Sequence, residues 1–215
     1  MVIFEQLKNN KGTVSSSLAK DMAKDFFSGT TDILTRAIEL SVYEADNPGA
    51  KHIRAGAAKI VEIVAEKKPG LVAPFLEKLI PALRVEEPQT RWMTLRTMGF
   101  CAHVNTVTAC KALPFARECV HKKDGVCLAG SADLFLGDLG AVSKKEAQKV
   151  FPLLLTSAAA PVKNEHDWIL EAFIKIIPNI KEEQKVKIKD FVHDWTGLPK
   201  KATQKRIKKI LILLG

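Results

Sequence analysis

Residues 71–104 read LVAPFLEKLIPALRVEEPQTRWMTLRTMGFCAHV, and the spacing of their apolar side chains decides the fold. Leu71, Val72, Phe75, Leu76, Leu79, Ile80 and Leu83 recur at steps of three and four, so they share one face of a helix over 71–83. Trp92, Leu95, Met98, Gly99 and Ala102 do the same over a second helix at 89–103. Between the two lies a short acidic turn ending in Pro88, whose missing N–H costs nothing just ahead of a helix. The stretch is a helix, a turn and a helix.

A step of 37 residues carries this unit along the chain. Arg54, Arg91, Leu128, Glu165 and Ala202 stand in one frame, and each opens a segment of similar helical pattern. The first helices of the five pairs are expected over 32–44, 71–83, 107–120, 144–156 and 182–195. Turn-forming residues agree with that division: Asp46-Asn47-Pro48-Gly49, Pro69-Gly70, Lys123-Asp124-Gly125, Gly140 with Ser143, and Gly197 with Pro199. Segments 3–8 and 16–27 precede the repeats and read as a cap, with Lys20, Asp21, Lys24 and Asp25 on its polar outer face. The expected fold is all-α. It is an α-α superhelix of about five helix pairs over 31–215 behind an N-terminal helical cap over 1–30, in a single domain spanning 1–215.

The proline-bearing first helix with Pro74 and Pro81, the acidic turn with Glu86 and Glu87, and Arg91 opening a small-residue-rich second helix resemble a HEAT repeat. The strong motif spans 32–104, and the periodicity continues to 214. The resemblance implies an acid–arginine ladder between neighbouring repeats, drawn from Asp46, Arg54, Glu86 or Glu87, and Arg91. Leu128, Glu165 and Ala202 replace the arginine in repeats three to five, so the ladder is expected to stop after repeat two. The resemblance also implies that the second helices line a concave face. Their polar residues are then candidate contacts: Lys59, Arg96, Asp133, His166 and Asp167, with the basic group at 205–209.

Composition sets the bounds. Apolar residues make up 47% of the 215 and charged residues 27%, which is ordinary for a globular chain able to bury a sizeable core. No run approaches the ~18 apolar residues of a membrane-spanning helix, and residues 1–10 lack the features of a secretory signal, so a cytoplasmic location is expected. Cys101, Cys110, Cys119 and Cys127 form no C-x-x-C pair, and they are expected to be small buried hydrophobes in a reducing compartment. Phosphate loops, nucleophile elbows and H-E-x-x-H motifs are missing from the sequence, and the five histidines have no second ligand at i+3 or i+4. No catalytic residue, metal, cofactor or small-molecule substrate is therefore expected. Gly130, Gly137 and Gly140 suit close helix packing.

The formal net charge is +9, and residues 181–215 hold ten Lys/Arg against four acids. Within 200–214, Lys201, Lys205, Arg206, Lys208 and Lys209 make a basic stripe opposite Ala202, Ile207, Ile210, Leu211 and Leu214. The stripe is either a solvated flank or a surface for phosphates or acidic groups. The sequence favours a non-catalytic scaffold with a protein partner. The alternative is a nucleic-acid-binding HEAT protein related to alkylated-base DNA glycosylases, which use a basic groove with tryptophans and an aspartate. Trp168 beside Asp167 and Trp195 beside Asp194 prompt that comparison. The favoured reading of Trp92, Trp168 and Trp195 is that they pack in the core.

Overall fold

The computed structural model describes residues 2–10 and 17–215, and every regular element among them is helical. Contacts divide the chain into two compact units, 1–112 and 113–215.

In the first unit, α1 (Val2–Asn9) and α2 (Ser17–Phe27) cover α4 (Lys51–Lys67). The expected start of the second cap helix at Ser16 lies outside the described residues. Ala19, Met22 and Ala23 of α2 are buried, while Lys20, Asp21, Lys24 and Asp25 are exposed or nearly so, which is the polar outer face a cap needs. Helix α3 (Asp32–Leu40) pairs with α4 across a 3-10 turn at Pro48–Ala50, where Asn47 Oδ1 accepts from the Gly49 N–H.

The single helix expected over 71–83 is broken. Short helices α5 (Pro69–Val72) and α6 (Leu76–Leu79) alternate with 3-10 turns at Ala73–Phe75 and Ile80–Leu83. Pro74 and Pro81 each remove an N–H and crowd the carbonyl four residues back, so the α-ladder tightens instead of continuing. The buried face survives in Val72, Leu76, Leu79 and Leu83, but Leu71 is exposed. Helix α7 (Pro88–Phe100) packs on α4 and completes the second pair, and α8 (Thr106–Ala109) begins the third.

The second unit continues the pattern. Helix α9 (Leu113–Lys122) pairs with α10 (Val126–Gly140), and α11 (Lys144–Ala159) with α12 (His166–Ile176). Helix α13 (Glu182–Asp194) pairs with α14 (Lys201–Leu214). The second helices also stack on one another, α10 on α12 and α12 on α14. Across the chain the second helices start at residues 51, 88, 126, 166 and 201, close to the five positions of the 37-residue frame.

Close stacking of α10 on α12 depends on glycine. A Cβ at Gly130 would lie inside the Trp168 ring, and one at Gly137 would sit 2.6 Å from the Ala172 Cα. Gly140 likewise faces Ile176 and Val150. The seven-and-three glycine spacing is therefore a packing seam.

Candidate functional site

The second helices also carry the buried charge. Arg54, in the first turn of α4, is almost inaccessible. Its Nε and Nη2 donate to the two carboxylate oxygens of Glu87, at 2.8 and 2.7 Å. Its Nη1 donates to the carbonyls of Tyr43, Glu44 and Asn47, in the turn between α3 and α4. Arg54 thus joins the turn within its own repeat to the N-cap acid of the next. Burial alone raises the Glu87 pKa, but the hydrogen bonds from Arg54 and from the Thr90 hydroxyl outweigh it and hold the carboxyl below the usual glutamate range. Asp46 and Glu86 are exposed, Arg91 is partly exposed, and among the described residues none of the three joins an ion pair.

Three repeats beyond Arg54, the polarity is inverted. Glu165 stands in the arginine frame and is fully buried. It accepts from Lys123 Nζ at 3.0 Å, from the Val162 N–H at 2.6 Å and from Ser157 Oγ at 3.3 Å. The cation comes from the turn before α10, where Lys123 has a left-handed φ of 54°. Asp133 of α10 lies beside this cluster. It belongs to the expected contact face, yet it is wholly buried, and among the described residues neither carboxylate oxygen has a hydrogen-bond partner of normal geometry. Burial, reinforced by the Glu165 charge, drives the Asp133 pKa well above the ordinary aspartate value. Asp133 is a core residue, wholly buried among Ser157, Glu165 and Lys123.

The remaining bonds between repeats fall about one period apart. Lys175 binds Asp138 at 2.6 Å, Lys111 binds Glu77 at 2.8 Å, and the Gln148 and Gln184 amides exchange hydrogen bonds. Asp167 accepts from Thr203 Oγ1 at 2.8 Å and from Lys200 Nζ, with Arg206 nearby at 3.6 Å. Burial raises its pKa, but these donors and cations hold it below the usual aspartate range.

Thr203 replaces the expected Ala202 on the buried side of α14, because its hydroxyl satisfies Asp167 while Ala202 is exposed. Sequence reasoning did not mark Ser157, Lys123 or Thr203 as partners for a buried acid. Thr203 lies 36 residues from Asp167, close to one period, whereas Ser157 is only 8 residues from Glu165 and carries no such signal.

The other candidates are dispersed. Lys59 is tied to Glu62 at 2.7 Å, and the Arg96 guanidinium lies over the Phe100 ring at 4.4 Å. His166 meets Trp195 edge to face at 4.7 Å, and burial lowers its pKa against the opposing pull of Glu165 and Asp167. Trp195 is buried, and Trp168 packs against Gly130. Cys101 and Cys119 are buried, with the Cys101 thiol pushed up to about 12 by burial, but Cys127 is exposed on the first turn of α10. No group of metal-ligating side chains converges among the described residues. None of their helices is long and apolar enough to cross a membrane.

What stays open lies on α14. Lys201, Lys205, Lys208 and Lys209 are exposed, and none joins an ion pair among the described residues, whereas Arg206 also binds Glu171 at 3.2 Å.

No protein-family model and no curated protein matches this sequence. Solved structures do match it. A designed armadillo repeat protein aligns at a TM-score of 0.64 and 15% identity over 98% of both chains. Another, in complex with peptide (KR)4, aligns at 0.64 and 14% over 100% of this chain and 98% of that one. An engineered protein aligns at 0.69 and 14% over 99% and 97%. At such identities the likeness is one of fold, and the fold is an armadillo-like helical repeat solenoid.

Proposed function

We propose that the chain is a non-catalytic scaffold that binds a protein segment along its repeats. The observation that carries this reading is the distribution of polar groups. The buried ones (Arg54, Glu87, Glu165, Asp167) are directed at neighbouring helices and hold the stack together, while the lysines of α14 face outward. A stack of helix pairs offers an extended ridged surface, and such surfaces suit chain segments. The designed armadillo repeat protein in complex with peptide (KR)4 lends support by analogy of fold. Within the helical-repeat class, the Arg54–Glu87 pair between repeats favours a HEAT-like lineage.

Selection from a displayed random-peptide library on the folded chain tests the proposal. Enriched peptides that bind in solution with micromolar affinity support it. A library that enriches nothing over denatured protein refutes it.

Nucleic acid is the second reading, and the excess of positive charge favours it. Its glycosylase form needs a carboxylate free to face a substrate: Asp167 is engaged with Lys200, Thr203 and Arg206, whereas Asp194 is exposed beside the buried Trp195. DNA and RNA binding at two salt concentrations tests this reading, because phosphate contacts weaken steeply as salt rises.

A further inference from the structure

We infer that the groove along α14 is the docking site for an acidic peptide carrying an aliphatic anchor, an inference that rests on the scaffold reading above. The groove has a volume of about 470 Å³ and is lined by Thr196, Gln204, Lys205, Ile207, Lys208 and Leu211. Its floor is aliphatic, formed by Ile207 and Leu211. Lys205 and Lys208 stand one turn apart on its rim, both exposed. One wall is fixed, because Gln204 Nε2 donates to the carbonyls of Thr196 and Leu198, both at 2.6 Å, and so pins the loop ahead of α14.

Charge complementarity selects the occupant. Helix α14 holds five cations and no acid. Asp167 is paired with Lys200 and Arg206, and Glu171 with Arg206, while the exposed Asp194, two residues before Thr196, leaves the five cations of α14 in excess. Lys201 and Lys209 extend the positive field beyond the groove, and Ile212, 74% exposed, continues its aliphatic character. A carboxylate-rich segment fits the rim and a leucine-like side chain fits the floor. Single-stranded nucleic acid fits less well, because its bases bind by stacking on aromatic rings and this groove has none.

The test uses the full chain and fluorescein-labelled peptides read by anisotropy. The probes are DEDELLDEDE, the same peptide with Gly-Gly for Leu-Leu, the charge-inverted KRKRLLKRKR, and oligothymidylate. The expected result is that DEDELLDEDE binds best. Its affinity should fall about tenfold in a Lys205→Glu, Lys208→Glu variant and weaken as salt rises from about 50 to 200 mM. A Lys187→Glu, Lys189→Glu variant alters two exposed lysines of α13 by the same charge and should change the affinity less than about twofold. Circular dichroism confirms that both variants fold, and Lys205→Ala, Lys208→Ala supplies a milder version.

Equal losses in the two charge-reversed variants would show only diffuse attraction and overturn the groove. So would equal binding of the Gly-Gly peptide, or tighter binding of oligothymidylate through Lys205 and Lys208. If library-selected peptides bind but are indifferent to Lys205 and Lys208, the groove assignment fails and the scaffold stands. If no peptide binds at all, both fail.

Discussion

Arg54 donates five hydrogen bonds from a side chain only 1% exposed, so its removal strands a buried carboxylate and three turn carbonyls together. Breaking a buried pair from one side costs about 3 kcal/mol or more. Arg54→Ala should therefore lower Tm by roughly ten degrees in a chain of this size. Arg91→Ala, at the next position of the same frame but without an ion pair among the described residues, should move Tm by less than about two degrees. Thermal melts of the two variants side by side decide whether the pairing or the frame position matters. Asp133 makes a different prediction. Its folded-state pKa lies above the unfolded one, so its contribution is fully present below the unfolded value and declines as pH rises through the folded one. Asp133→Asn should consequently raise Tm more at pH 8 than at pH 5. A gain of equal size at both values would show that Asp133 is not protonated in the fold.

At the scale of elements, the seam between α10 and α12 sets how closely two second helices approach. Alanine normally improves a helix over glycine by about 1 kcal/mol. At Gly137 the new methyl would meet the Ala172 Cα, which is backbone and cannot rotate away. Gly137→Ala should thus be net destabilising by about 1–3 kcal/mol, as expected for overpacking. Gly70 is the control, since it is exposed and a methyl added there would meet nothing within 4 Å. Gly70→Ala should be neutral or stabilise by about 0.5 kcal/mol. Chemical denaturation of both variants checks the pair, and a stable Gly137→Ala would mean that the seam can open without loss.

For the molecule as a whole, contacts in a repeat array are local, so damage should spread to neighbours before it reaches distant helices. Leu95 is buried at 1% exposure in α7. Leu95→Asp places an unpaired charge there, which a packed interior does not tolerate. Amide exchange should accelerate across residues 51–104 first, while 144–214 keep their protection. Uniform loss of protection along the chain would show a single cooperative unit instead.

The repeat was legible in the sequence because each helix pair must bury a face, and that need leaves apolar residues at three- and four-residue steps in every copy. The frame through Arg54, Arg91, Leu128, Glu165 and Ala202 marks the starts of α4, α7, α10, α12 and α14 for that reason. Individual partners were not legible. Helix α10 is buried on nearly every side, so its pattern did not reveal that Asp133 lies in the core. Nor did it show that Glu165 takes its cation from Lys123, 42 residues away. Periodicity records which face of a helix is dry. Which charge on that face meets which neighbour depends on how adjacent repeats are seated, through Gly137 against Ala172 or Thr203 against Asp167, and that is settled only when the helices pack.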